Sequence, residues 1–244
     1  MASATGIPEQ HPGSISNGHG EQEPLLGRPG DASQKEGKSL AWNLILGTGI
    51  IAQAGIWILT AIIWAGILSH DVILFTAHPL LNSAGLLLIT QAALILQPTH
   101  TPDQKRKGTY VHAVLNHVGV LALLAGLIVI EVNKERGGLD HLESPHAILG
   151  VITYVFLVLQ VIVGFTQFFT PSVYRGVDRA KKIYKYHRFF GYITFVLALV
   201  TIAAATRTTF NVNVLHINLW AVIVASLITL VGIIPRIKKQ KLGL

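Results

Sequence analysis

His78-Pro-Leu-Leu-Asn82, His112-Ala-Val-Leu-Asn116, His146-Ala-Ile-Leu-Gly150 and His187-Arg-Phe-Phe-Gly191 are four copies of one short pattern, each set in an otherwise apolar stretch. The histidines stand 34, 34 and 41 residues apart. About 20 residues of helix cross a bilayer core of about 30 Å, and a short loop completes such a period. The spacing therefore predicts that each histidine opens a transmembrane helix. Consecutive helices run in opposite directions, so His78 and His146 share one face of the membrane while His112 and His187 share the other. That makes two stacked bis-imidazole sites.

Composition agrees with a membrane setting. Apolar residues make up 51% of the 244 and charged residues 13%, with several apolar runs of 18 or more residues, the mark of a polytopic membrane protein. The chain has no cysteine, which excludes disulfides, iron–sulfur clusters and thiolate-ligated haem. Histidine is abundant instead, at eleven. The net charge of +7 does not point to nucleic acid, because the basic residues fall in loops between apolar spans, where membrane topology accounts for them.

Six apolar spans are expected at about 44–68, 72–96, 111–130, 147–168, 189–206 and 214–234. A spanning segment must satisfy every backbone amide internally, and these are too long for barrel strands, so the fold class is all-α. Lys and Arg decide the orientation. Sixteen fall on the side of the two termini and three, Lys134, Arg136 and Arg207, on the other. Both termini are therefore expected in the cytosol. Residues 237–244 form a short basic cytosolic tail.

Residues 1–43 are rich in Gly, Pro, Ser, Gln, Glu and His with no apolar period and read as a disordered cytosolic tail. They lack the charged and apolar regions of a cleavable signal peptide. Glu21-Gln-Glu-Pro-Leu25-Leu26 has the form of an acidic dileucine address, pointing to endomembranes (endosome, vacuole or ER) rather than the plasma membrane.

A histidine within a membrane span is a functional candidate when it faces the bundle interior. Two neutral imidazoles from facing helices can fill both axial positions of a porphyrin iron and leave no open site for oxygen, which suits electron transfer. Gly150 and Gly191 lie one turn beyond their histidines on the same face, where a missing side chain lets a flat macrocycle approach. Asn82 and Asn116 hold that position on the other two helices, small enough for a ring edge and able to bond a propionate or a water. With each iron about one turn inside its own face, the irons would lie roughly 20 Å apart. His117 projects about 140° from His112 on the same helix and cannot serve the same site. It is assigned a polar contact.

The combination of His78-Pro79, Lys107-Gly108-Thr-Tyr-Val-His112, Ser144-Pro-His146 and Tyr186-His187 with Gly191 resembles the eukaryotic cytochrome b561 family, in particular its shorter vesicle-membrane subgroup, over about residues 44–236. The resemblance implies six transmembrane helices whose central four, helices 2–5, hold two b haems. It implies His78 with His146 and His112 with His187 as haem ligands, with Ser144 beside them. It also implies cytosolic ascorbate as donor, ferric chelates or monodehydroascorbate as acceptor across the membrane, and a homodimer, for which helices 1 and 6 are available. By position the ascorbate-contacting lysine falls on Lys105. The adrenal type carries an Arg at the cytosolic end of helix 2, where this chain has Gln97-Pro98.

The residues give the basic loops a similar role. Ascorbate is a monoanion at neutral pH, and Lys105, Arg106, Lys107, Lys181, Lys182 and Lys185 would form a positive mouth that concentrates it. Tyr110, Tyr184 and Tyr186 are candidates to stack on the donor. On the far side His70, Asp140, His141, Glu143 and His216 are candidates to hold a ferric complex. Two alternatives stay open: a zinc or copper transporter with a histidine path, and a di-haem cytochrome fed by a flavoprotein reductase. No nucleotide fingerprint, nucleophile triad or zincin motif is present.

Overall fold

The computed structural model describes residues 32–242, apart from the side chain of Gln240. The dileucine stretch and the rest of residues 1–31 lie outside the described residues. Six helices are long and apolar enough to cross a membrane: α1 Gly49–Leu68, α2 Ala77–Leu96, α3 Pro102–Gly137, α4 Pro145–Phe169, α5 Val177–Ala205 and α6 Leu219–Ile233. The chain is an integral multi-pass membrane protein.

Two helices begin earlier than expected. His78 and His146 are the second residues of α2 and α4, but His112 and His187 lie ten residues beyond the first residues of α3 and α5. The expectation that every histidine opens a helix thus holds at one end of the bundle and fails at the other. Hydropathy detects the apolar part of a helix and not its charged approach. Thr101 and Gln104 cap each other across the first turn of α3, at 3.3 and 3.4 Å, and Pro102 sits at the first helical position, so the basic stretch that follows is helical too. At 36 residues, α3 is about 54 Å long and overshoots a bilayer core of about 30 Å.

The helices associate as three pairs, α2 with α3, α4 with α5 and α1 with α6, and α1 also lies along α2. Small residues set the close approaches, as expected where lipid gives no hydrophobic drive for helix pairing. A Cβ on Gly85 of α2 would stand 2.7 Å from the Gly119 carbonyl of α3, and one on Gly55 of α1 would stand 2.5 Å from the Thr229 hydroxyl of α6. The buried hydroxyls of Thr60, Thr90 and Thr229 return to the carbonyls one turn back at 2.8, 2.8 and 2.9 Å, so they need no partner across the interface. The α2/α3 and α4/α5 pairs touch each other sparsely.

The basic end of the bundle is closed by a junction between distant parts of the chain. Pro98 has no N–H, so the Leu94 carbonyl loses its helical donor, and leaving such a group orphaned costs about 1–3 kcal/mol. Arg236, just past α6 and 4% exposed, supplies the bond: its Nη2 donates to the Leu94 carbonyl at 3.0 Å and to that of Asn43 at 2.8 Å. Residues 32–43, expected as the end of the tail, lie here as well. The buried Asn43 side chain donates to Gln34 Oε1 at 3.0 Å and to the Ile95 carbonyl at 2.8 Å, and Gln34 N–H donates to the Pro98 carbonyl at 3.0 Å.

Candidate functional site

The space between the α2/α3 and α4/α5 pairs is a cavity of ≈ 2920 Å³, roughly three times the upper end of the about 300–1,000 Å³ of ordinary ligand pockets. His78, His112, His146 and His187 all line it.

At one end the rings of His78 and His146 face each other from α2 and α4, with centroids 6.1 Å apart. A metal bonded to an imidazole nitrogen at about 2 Å lies roughly 3 Å from the ring centroid, so two axial imidazoles on one ion stand roughly 6 Å apart. The observed separation fits one metal between them. The other pair, His112 and His187, lies toward the basic end of the same cavity.

The proton positions are set as well. His78 Nδ1 lies 2.9 Å from the Gly126 carbonyl, His112 Nδ1 3.0 Å from that of Ala92, and His146 Nδ1 2.9 Å from that of Thr201. A carbonyl only accepts, so each Nδ1 carries the proton and each Nε2 keeps its lone pair for a metal. This arrangement of an outer acceptor behind each imidazole is the usual support of a metal-binding histidine. His187 is the exception, with a buried Nδ1 that makes no hydrogen bond among the described residues.

These bonds also give the depth of the two layers. His112 meets α2 fourteen residues beyond His78, about 21 Å along the helix axis. That agrees with the separation inferred from span lengths.

The small residues below the histidines divide into two kinds. Gly150 and Gly191 face open space: added Cβ atoms would meet nothing nearer than Thr201 Cγ2 at 3.9 Å and Gln160 Oε1 at 3.5 Å. A flat group has room there. Asn82 and Asn116 turn their amides back and donate to the carbonyls of His78 and His112, both at 2.7 Å. Asn82 Oδ1 also accepts from the Tyr154 hydroxyl at 2.6 Å, a link from α4 across to the α2/α3 pair. Ser144 lines the cavity, and its hydroxyl caps α4 by accepting from Ala147 N–H at 3.1 Å.

The cavity is polarised along its length. Lys105, Arg106, Lys181, Lys182, Lys185, Tyr184 and Tyr186 line the basic mouth, joined by Arg188, Arg236, Lys238 and Lys241, which sequence reasoning did not place there. Lys185 Nζ lies 5.0 Å from the Tyr186 ring centroid. Lys107 and Tyr110 are outside the lining: Lys107 pairs with Asp103 at 2.8 Å, and Tyr110 packs edge-on against Phe168, with centroids 5.5 Å apart. Among the described residues the acids on the wall, Glu131, Asp140 and Glu143, are all at the opposite mouth, with His141 and the two basic residues Lys134 and Arg207. His141 is bracketed by Glu131 at 2.9 Å and Glu135 at 3.5 Å. His70 and His216 are outside the lining, whereas His117 is part of it, exposed and 3.2 Å from the Ala113 carbonyl of its own helix.

Gly164 was also missed. A Cβ there would stand 3.0 Å from His187 Cε1, so the imidazole seats against bare α4 backbone. In sequence this glycine is indistinguishable from ordinary small-residue packing.

Comparison with known proteins identifies the family. The family model for eukaryotic cytochrome b561 matches residues 77–213, more than half of the chain and all four histidines. The transmembrane ascorbate-dependent reductase CYB561 of Homo sapiens is 26% identical over 162 residues, covering 66% of this chain and 63% of that protein. The ascorbate-specific transmembrane electron transporter 2 of Zea mays is 26% identical over 153 residues, covering 61% of this chain and 64% of that protein. The matched region thus spans less than two thirds of the length of either relative.

Proposed function

Because the chain belongs to the eukaryotic cytochrome b561 family, we propose that it is a di-haem b transmembrane oxidoreductase, which takes electrons from cytosolic ascorbate and passes them to ferric chelates or monodehydroascorbate on the other face of the membrane. The observation that carries the reading is the 6.1 Å spacing of His78 and His146 with both Nδ1 atoms committed to carbonyls, which suits one iron between two Nε2 atoms. His78 and His146 would hold one haem, and His112 and His187 the other. When bound, each haem would supply one-electron exchange between ferric and ferrous iron.

The chain's own residues do the rest. The carbonyls of Gly126, Ala92 and Thr201 hold three of the imidazoles in the ligating tautomer. Gly150 and Gly191 leave room for the macrocycles between the α2/α3 and α4/α5 pairs. At the basic mouth, which the sixteen-to-three bias of Lys and Arg puts in the cytosol, Lys105, Arg106, Lys181, Lys182 and Lys185 draw in the ascorbate monoanion and stabilise its enolate oxygen. Each ascorbate gives up one electron and one proton, the proton going to water at that mouth, and leaves as monodehydroascorbate. One Fe³⁺ at the acidic mouth becomes Fe²⁺, and Glu131, Asp140 and Glu143 offer oxygen atoms suited to a hard cation there.

The test is vesicular. With the purified chain reconstituted and ferricyanide trapped inside, external ascorbate is expected to bleach the trapped ferricyanide and to shift the Soret band on the way. An intact haem spectrum that ascorbate leaves oxidised, while a flavoprotein reductase reduces it, would replace the donor in this proposal.

A further inference from the structure

Three of the four histidines follow one register and the fourth does not. His112 donates to the carbonyl fourteen residues beyond His78, at Ala92. His78 donates to the carbonyl fourteen beyond His112, at Gly126, and His146 to the carbonyl fourteen beyond His187, at Thr201. Antiparallel pairing explains the rule, since within α2/α3 and within α4/α5 each imidazole meets its neighbouring helix at the depth of the other layer. The same register brings His187 to α4 at Gln160, fourteen beyond His146.

Contacts agree with that placement. Gly164, one turn along α4 from Gln160, is the residue whose added Cβ would stand 3.0 Å from His187 Cε1, and Gln160 Oε1 is 3.5 Å from the position of a Cβ on Gly191, one turn from His187 on α5. Yet His187 Nδ1 is buried and makes no hydrogen bond to any described residue. The Gln160 side chain lines the cavity and makes no hydrogen bond to any described residue. An amide without a partner in the apolar middle of a spanning helix is costly, and such residues mark functional positions. Neighbouring positions on a helix face are about 5–6 Å apart, within reach of a glutamine that rotates about its side-chain bonds.

We propose that Gln160 is the positioning residue for His187, its side-chain Oε1 accepting the Nδ1 proton in place of the backbone carbonyl that serves the other three histidines. The inference rests on the haem reading above. An acceptor on Nδ1–H makes an imidazole a stronger donor to iron and favours the ferric state. The haem held by His187 and His112 would then be tuned on one side through the Gln160 side chain, whereas His78 and His146 both donate to backbone carbonyls.

Redox titration followed by low-temperature EPR on the full chain tests this, comparing wild type with Gln160→Leu and Gln160→Glu. Leu removes the acceptor at similar volume, and Glu restores one. The expected result is a more positive midpoint potential and altered g-values in Gln160→Leu, for the haem that His187→Ala deletes. Gln160→Glu should bring both back to or beyond wild type, with the second haem unchanged in either variant. Potentials and signals at wild-type values in both variants would overturn the proposal. So would a haem-loaded structure with His187 Nδ1 bonded to a backbone carbonyl. A wild-type chain without haem would instead overturn the reading on which the proposal rests.

Discussion

His112→Ala or His187→Ala is expected to remove the haem at the basic end and leave the other, so that the purified chain keeps about half of its Soret absorbance. His78→Ala or His146→Ala should do the same at the acidic end. The two halves are separable because each pair is held by its own carbonyls, Gly126 and Thr201 at one depth and Ala92 at the other, about 21 Å apart. Ascorbate-driven electron flow across vesicles should fall by at least about 100-fold in each variant, since even loss of an outer partner of a metal ligand costs about 10–100-fold. Absorption spectra of the four variants beside wild type check the first statement and the vesicle assay the second. A variant with full absorbance and full flow would remove its histidine from the ligand set.

Charge reversal at the basic mouth has the next largest expected effect. Lys105, Lys181 and Lys185 line the cavity at this end, where among the described residues no wall acid offsets them, and electrostatic focusing of this kind raises on-rates by about 10–10³. The double variant Lys181→Glu/Lys185→Glu should therefore slow stopped-flow reduction by ascorbate by about 10- to 1,000-fold at low salt. The loss should shrink as salt is raised and the screening length falls below about 10 Å. A neutral hydroquinone reductant should be slowed little. Equal ascorbate rates in variant and wild type at every ionic strength would show that these lysines serve topology alone.

The spans and the four histidines were legible because hydropathy and a spacing near 34 residues are carried by side-chain identity. Helix ends at the basic side were not, since Lys105 to Tyr110, behind the Thr101/Gln104 cap, and Val177 to Tyr186, whose helix starts without a side-chain cap, are helical while looking like loop by charge. The acceptors behind the imidazoles were invisible for another reason. A backbone carbonyl can come from any residue, and Ala92, Gly126 and Thr201 share no chemistry. Asn82 and Asn116 showed their position in sequence but not their direction, which is back along their own helices. Arg236 reaches the end of α2 from beyond α6, a contact across 142 positions that no local pattern announces. Gly164 and Gln160 acquire meaning once the depth of His187 is known, and depth comes from helix pairing.

Haem stoichiometry of the purified full-length chain is the most direct measurement of the central claim, that facing imidazoles clamp one porphyrin iron at each depth of the bundle. Pyridine haemochrome absorbance set against protein concentration should give close to two b haems per chain, with EPR showing two low-spin ferric centres. A chain that folds and stays monodisperse yet remains colourless after haem is supplied would contradict the account.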